Sequence, residues 1–421
     1  MPNAFKASDI LIPKKNINMN KWSVIACDQY TSEPDYWNDV YKTVGSSEST
    51  LNMILPEIYL EDDDSEKKIE NIHKYMNEYI SSGIFDTYEN AMIYVERIQS
   101  NGILRAGIVG MIDLEEYDYT KGSSSQVRAT EATVIERIPP RIRVRQNAPL
   151  ELPHIMILID DENKSVIEPL ESAKKNFTKL YDFDLMKNGG HLSGYLIDEI
   201  YQKQISAALD RLADKDAFNK KYSLENSPVL LYAMGDGNHS LATAKEYYEQ
   251  LKKNNPEKDF SNHPARYALA EIVNLHSDAL EFEAIHRIVT DVDTQKLISE
   301  MYSELQLSEN NSGQSFEYIT ANQSATVSIG NRLSNLTVGS LQSFLDGYIS
   351  RNGGKIDYIH GRDVVSELAA KPDSIGFILP DMNKNELFPT VIKDGALPRK
   401  TFSMGHAQDK RFYMECRKIN E

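Results

Sequence analysis

Residues 229–248 read VLLYAMGDGNHSLATAKEYY, and this stretch constrains the fold more than any other part of the chain. An apolar run of strand type, Val229 to Ala233, halts at Gly235-Asp236-Gly237. Leu241, Ala244 and Tyr248 then recur at helix-face spacing, so the pattern predicts a strand that turns sharply into a helix. Glycines allow a tight turn and a close approach to a ligand, and Asn238 or Ser240 can cap the helix. A helix start offers unpaired N–H groups and the positive end of the helix dipole, which suit an anion, above all a phosphate. An ordinary strand–turn–helix corner needs one polar group at its tip, whereas this one has Asp236, Asn238, His239 and Ser240. The corner is therefore expected to line a deep polar pocket, with the N–H groups of residues 237–239 facing inward.

A chain of 421 residues has room for two or three domains with ample cores. Its net charge of −17, from 63 acidic and 46 basic residues, repels a phosphate backbone and argues against a nucleic-acid partner. Cys27 and Cys416 are far apart and lack metal-ligand spacing, which fits a reducing compartment rather than a disulfide scaffold or a zinc site. The first residues, MPNAFKASDILIPKK, lack the apolar core of a signal peptide, and no apolar run of about 18 residues occurs. A cytoplasmic protein without a membrane partner is expected.

Taken in order, KWSVIACDQ contains a strand candidate that breaks at CDQYTSEPDYW. SEKKIENIHKYMNEYISSGIF reads as an amphipathic helix with Ile69, Ile72, Tyr75, Met76 and Tyr79 on one face; His73 on it reads as a packing or surface residue. AMIYVERIQ and LRAGIVGMIDL read as strands joined by the hairpin signal Asn101-Gly102. Residues 130–136 start a helix that Pro139-Pro140 would end. Arg128, Arg137, Arg141, Arg143 and Arg145 crowd this region, as either a solvated basic face or an attraction for a phosphorylated ligand. HIMILIDDENKSVIEPL reads as strand, turn, strand. ESAKKNFTKLY and DEIYQKQISAALDRLADKDAF read as helices flanking a Gly-Gly turn and the strand that holds His191. ARYALAEIVNL and LEFEAIHRIV are strand-like, and a smaller α+β unit with helices at TQKLISEMYSELQL and SLQSFLDGYISRNGG follows about residue 291. The end carries Arg399, Lys400, Thr401, Ser403, His406, Lys410 and Arg411, either a solvated tail or groups that close over a phosphate.

Several of these segments resemble, in order, the motifs of the DUF 1015 family. RATEAT is similar to the family's RPHE-T segment, ERIPPR to its following Asp-Arg segment and GDGNHS to its ADGHHR-type signature. AIHRIV is similar to its PTHR motif and LPRKTF to its terminal MPQKST-type segment; CDQYTSEPDYW resembles a segment of one branch. The likeness spans about residues 20–415. The ADGHHR-type signature itself resembles the DGHHR loop of free serine kinases in the ParB/sulfiredoxin-like group, where the loop and its helix hold nucleotide or phosphate. The chain departs from it in Asn238, which replaces the first His, and in Ser240, which replaces the Arg. The resemblance implies an α+β fold, a mixed-sheet ParB/sulfiredoxin-like core with N-terminal and C-terminal α+β extensions. It divides the chain into an N-terminal region over 1–120, a core with the phosphate loop over 121–290, and a C-terminal region with closing tail over 291–421.

The function implied is that of a serine-kinase-like phosphotransferase acting on serine or phosphoserine with ATP or ADP and Mg²⁺. In that reading Glu131 takes the proton of the alcohol, Asp236 holds Mg²⁺, and His239 with the arginines stabilises charge on the phosphoryl group. Gly235, Gly237, Asn238, Ser240, Arg128, His286, Arg287 and Lys400 would contact phosphate or nucleotide, and His191 would face the site. The alternative is a ParB-like nucleotide-binding switch without metabolic catalysis, which needs no base beside the loop. Sulfiredoxin-like reduction fails because the loop has no cysteine to supply a thiolate. Homo-oligomer formation is left open.

Overall fold

The computed structural model of the chain describes residues 3–133, 135–310 and 312–420. They form two compact units: residues 1–129, 133–280 and 405–421 make one, and residues 130–132 and 281–404 the other. The described residues hold twelve α-helices and a large mixed sheet, so the fold class is α+β.

The first unit is built on a ten-stranded sheet. Its order runs Thr178–Asp184, His191–Leu196, Ile93–Ile98, Leu104–Asp113, Tyr267–Asn274, Met156–Ile159, Tyr232–Asp236, Val127–Arg128, Tyr117–Asp118, with Phe5–Lys6 added against Leu104–Asp113. The hairpin predicted at Asn101-Gly102 joins Ile93–Ile98 to Leu104–Asp113, and Gly102 takes φ 82°. Most pairs are antiparallel, but Tyr267–Asn274 runs parallel to Met156–Ile159, and Val127–Arg128 parallel to both Tyr232–Asp236 and Tyr117–Asp118. Tyr232–Asp236 is thus an inner strand, antiparallel to Met156–Ile159 on its other side.

The helix expected after it is Asn238–Asn254, and it buries Leu241, Ala242, Ala244 and Tyr248. Ile138 and Ile142 of a second helix, Ile138–Arg145, pack on Ala242. Here the expectation reverses: Pro139-Pro140 open a helix rather than end one. A proline costs nothing in a first turn, whose N–H groups have no helical partner, and its fixed φ suits helix entry.

The amphipathic helix is Ser65–Ser81, with Ile69, Ile72, Met76 and Tyr79 buried and Tyr75 exposed at the edge of the face. It covers a core that includes Trp22 and Trp37. KWSVIACDQ forms no strand. Met19–Trp22 is a short helix, Ile25 makes one isolated bridge to Phe412, and CDQYTSEPDYW enters the helix Pro34–Val44. VIEPL likewise forms no strand, because the Asp161 carboxylate accepts the N–H groups of Ser165 (2.6 Å) and Val166 (2.9 Å) and holds the chain in a turn. ESAKKNFTKLY gives only the short helix Pro169–Ala173 before the strand Thr178–Asp184, and the next predicted helix divides into Glu199–Leu212 and Lys215–Lys221 where Asp214 caps the second.

The second unit carries a five-stranded antiparallel sheet in the order Ser324–Ser328, Ser315–Ile319, Ser374–Ile378, His286–Thr290, Lys355–Ile359. The helices Thr294–Glu304 and Thr337–Asn352 bury Leu297, Met301, Leu341 and Phe344 in it, as their apolar spacing requires.

Candidate functional site

The strand Tyr232–Asp236 enters the helix Asn238–Asn254 through Gly237, whose φ of 78° is left-handed. A Cβ there would also meet the Ile155 Cα at 3.1 Å, so both conformation and space call for glycine. No side chain caps the helix. Asn238 and Ser240 do not cap as expected, because the helix begins at Asn238 and places both inside the first turn. The Gly237 N–H also departs from expectation: it donates to Asp236 Oδ1 (3.0 Å). Asp236 Oδ2 lies 3.3 Å from Lys410 Nζ, and Asn238 Oδ1 is buried with no hydrogen-bond partner. Gly237→Ala is expected to cost about 1–2 kcal/mol in denaturant unfolding, the price of a left-handed non-glycine residue, and to weaken phosphate binding. An unchanged unfolding midpoint would refute the conformational argument.

Ser240 Oγ lies 3.0 Å from His154 Nε2, just ahead of the strand Met156–Ile159. The same nitrogen lies 3.5 Å from Asp28 Oδ2, and Nδ1 lies 2.8 Å from Tyr413 Oη. Tyr413 Oη accepts the Cys27 N–H (3.1 Å), and Gln29 donates to Asp28 Oδ1 (2.9 Å). The Ile25–Phe412 bridge aligns these segments, which are remote in sequence. Burial pulls the His154 imidazole down, but Asp28 and then Asp236 push harder, and its pKa ends above the ordinary value. Burial raises Asp28, but His154 overcomes it and holds the carboxyl well below the carboxylate range. Burial and the Asp28 and Glu57 charges push the Cys27 thiol far up, so it is no nucleophile at neutral pH.

These directions fix a pH dependence. Histidine's contribution to stability is complete below its unfolded pKa of about 6.5 and is lost as pH rises through the raised folded value. Aspartate's is present above about 3.9 and is lost as pH falls through the lowered folded value. His154→Gln should therefore cost most stability near pH 5–6, with the gap narrowing towards high pH. Urea midpoints measured across pH test this; a constant gap would show that the folded protein does not favour the imidazolium.

Lys410 and Tyr413 reach the corner because residues 405–420 are locked into the first unit by buried charges. Arg411 Nε pairs with Glu271 Oε2 (2.8 Å), its Nη2 with Glu415 Oε2 (2.7 Å), and its Nη1 donates to the Pro153 carbonyl (2.7 Å). Arg105 lies 3.8 Å from Glu271 and donates to the Asp409 carbonyl (3.1 Å). Arg97 donates to the Gln408 carbonyl (3.0 Å) and stacks on Phe412 at 4.9 Å. A Cβ at Gly107 would meet Glu271 Oε1 at 2.5 Å, so that strand leaves room for the carboxylate.

Four of the five expected arginines have protein partners. Arg128 donates to the carbonyls of Ser125 (2.8 Å) and Pro228 (3.1 Å). Arg141, Arg143 and Arg145 pair with Glu57, Glu66 and Glu151. His191 is clamped by Asp184 (2.7 Å) and Asp182 (2.6 Å) across its own hairpin.

In the second unit, Glu131 forms a parallel bridge with Leu397, and its carboxyl accepts the N–H groups of Lys400 and Thr401. Burial pushes this carboxyl up, opposed by the charges of Lys400 and Arg287. Arg287 is fully buried, donates to Gln342 Oε1 (3.2 Å) and the Arg399 carbonyl (3.1 Å), and is lowered by burial to about 10. His286 Nδ1 accepts the Leu379 N–H (3.2 Å), and burial lowers its pKa.

Two hollows of the first unit bear on a ligand. An open cleft of about 1070 Å³ is lined by Asn3, Lys6, Gln202 and Asp210 and by none of the predicted residues. A cavity of about 150 Å³ is lined by Ser240 and Thr243 of the site helix together with His154 and Tyr413. Among the described residues, the cluster able to hold a metal is Asp160, Glu162 and His276, away from Asp236, and Lys221 Nζ already sits 3.0 Å from Asp160 and 3.1 Å from Glu162.

An α+β protein with a glycine-opened helix start and an acid–lysine pair at its mouth is the class that fold and site define. The family described as a protein of unknown function (DUF1015) matches residues 11–348, and the chain belongs to it. No curated protein matches the sequence. Among solved structures, a conserved hypothetical protein from Pyrococcus furiosus is similar at 10% identity and a TM-score of 0.36, over 74% of this chain and 95% of that one. A free serine kinase in complex with AMP is similar at 11% identity and 0.38, over 74% and 92%. SbnI from Staphylococcus aureus, truncated at its C-terminus, is similar at 7% identity and 0.37, over 70% and 82%.

Proposed function

We propose that the chain is a nucleotide-dependent phosphotransferase with a ParB/sulfiredoxin-like core, acting in the cytoplasm on a small alcohol. The observation that carries this is the start of the helix Asn238–Asn254: a left-handed glycine, no side-chain cap, and Lys410 at its mouth. A helix start without a side-chain cap, the helix dipole and an ammonium together suit nucleotide phosphates. The acceptor oxygen attacks the terminal phosphorus, the bond from phosphorus to the leaving nucleoside diphosphate breaks, and the hydroxyl proton passes to a carboxylate base, the role that the family resemblance gives to Glu131. Burial raises the Glu131 pKa, the direction that suits a base working near neutral pH. Lys410 and His239 offset charge on the transferred group, and four of the five arginines are engaged by protein partners. Asp236 would hold a nucleotide-borne Mg²⁺ through the carboxylate oxygen now facing Lys410, and the ion would neutralise phosphate charge. Serine with ATP, or phosphoserine with ADP, is the substrate pair that the family resemblance offers.

One observation favours the nucleotide-switch reading: two backbone N–H groups already hold the Glu131 carboxyl, as they would a structural clasp. The test is a transfer assay with ATP and ADP against serine and phosphoserine, beside calorimetric titration of each nucleotide. Transfer supports the enzyme. Tight nucleotide binding without transfer to any acceptor supports the switch, and neither result would end both readings. No helix among the described residues is long and apolar enough to cross a membrane.

A further inference from the structure

We infer that the cavity beside the site helix receives the apolar body of a small hydroxy acid, so that the acceptor is a hydroxy acid with an aliphatic side chain rather than free serine. The hollow of about 150 Å³ is walled by Met53, Leu55, Leu60, Met76, Val144 and Ala148. A hollow of this size has room for a molecule about as large as benzene, a body of roughly four to six carbons. Its polar lining comprises Ser240 with His154 and Tyr413, both more than nine-tenths buried, beside the helix start, and the ion pairs Arg141–Glu57 and Arg145–Glu151.

Their hydrogen bonds leave donors for a ligand. A protonated His154 donates from Nε2 to Ser240 Oγ and from Nδ1 to Tyr413 Oη, which releases the Ser240 hydroxyl hydrogen. Arg145 also lines the cavity, and its buried Nε has no hydrogen-bond partner although its Nη2 pairs with Glu151. A hydroxyl donor beside a largely aliphatic wall, with an unpartnered guanidinium N–H on the same lining residue set, matches a carboxylate or hydroxyl carried on a hydrocarbon body. Serine has no hydrocarbon body to lay against the methionine, leucine and valine wall, and so gains less from burial there.

The inference rests on the phosphoryl-transfer reading for the fate of the ligand's hydroxyl, and its binding test does not. Lactate, 2-hydroxybutyrate, 2-hydroxyisocaproate and serine are titrated calorimetrically into the full chain without nucleotide. Affinity is expected to rise about fourfold per buried methylene, leaving 2-hydroxyisocaproate more than tenfold tighter than serine. Ala148→Leu fills the hollow and should weaken 2-hydroxyisocaproate more than tenfold with an unchanged melting temperature; Ala148→Val replaces it should the leucine variant not fold. Serine binding as tightly as 2-hydroxyisocaproate, no binding by any of the acids, or indifference to Ala148→Leu in a folded protein would overturn the inference. Transfer to serine with no binding of the aliphatic acids removes this inference and keeps the phosphotransferase. Tight aliphatic binding with no transfer does the reverse.

Discussion

Glu271→Gln is expected to cost about 3–5 kcal/mol of stability, the range for breaking a buried ion pair from one side. The substitution keeps shape but removes the charge that two guanidinium groups share. Glu271, Arg105, Arg411 and Glu415 are each at most 4% exposed, so water cannot replace the lost partner. Burial raises the Glu271 carboxyl, yet Arg105 and Arg411 overcome it and hold it below the ordinary range. Its contribution is therefore present above its unfolded pKa and is lost as pH falls through the lowered folded value. Removing both members, in Glu271→Leu with Arg411→Met, should cost less than the two single changes added together, because no charge is stranded. Function enters through the chain that follows Asp409. With Arg411 released, Lys410 and Tyr413 lose the anchor that brings them to Asp236 and His154. Hydrogen exchange should then show amides of residues 405–421 opening well before the sheet. A loss below about 1 kcal/mol with the tail still protected would refute the anchoring role.

Local pattern made part of this molecule legible. A period of two interrupted by Asn-Gly describes a hairpin completely, and Asn101-Gly102 is one. Apolar residues at helical spacing located Ser65–Ser81, and the glycine pair located the corner at Gly237. Pro139-Pro140 misled because a proline pair stops a helix coming from one side and starts one leading to the other, and only the packing of Ile138 and Ile142 on Ala242 decides. His154, Asp28 and Tyr413 gave no motif, because one short bridge, Ile25 to Phe412, brings their segments together. The buried charges did leave a trace. Glu96, Arg97, Arg105 and Glu271 interrupt strands that are otherwise apolar, and a charge in such a strand calls for a buried partner. Following that trace would have led to Arg411, and so to the tail that completes the site.

Glu131→Gln is expected to lower phosphoryl transfer by about 10²–10⁴-fold, the usual worth of a general base, while nucleotide affinity stays within a few-fold. Glutamine keeps the size and one carbonyl oxygen, which still accepts one of the two N–H groups now held, those of Lys400 and Thr401. It has no lone pair basic enough to take a proton from an alcohol. Its amide nitrogen must instead face the other N–H, donor against donor, and this sets a second measurable effect. Leaving one buried N–H unpaired costs about 1–3 kcal/mol, so a structural clasp would appear as a fall in melting temperature, with any loss of transfer explained by the unfolded fraction. A base would appear as a loss of transfer in protein that is still folded under assay conditions. Raising the pH separates the two further. A base with a raised pKa gains activity as pH climbs through that pKa, and the variant loses that limb of the profile. Full turnover in a folded Glu131→Gln protein would end the base assignment and leave the nucleotide switch as the better account of the chain.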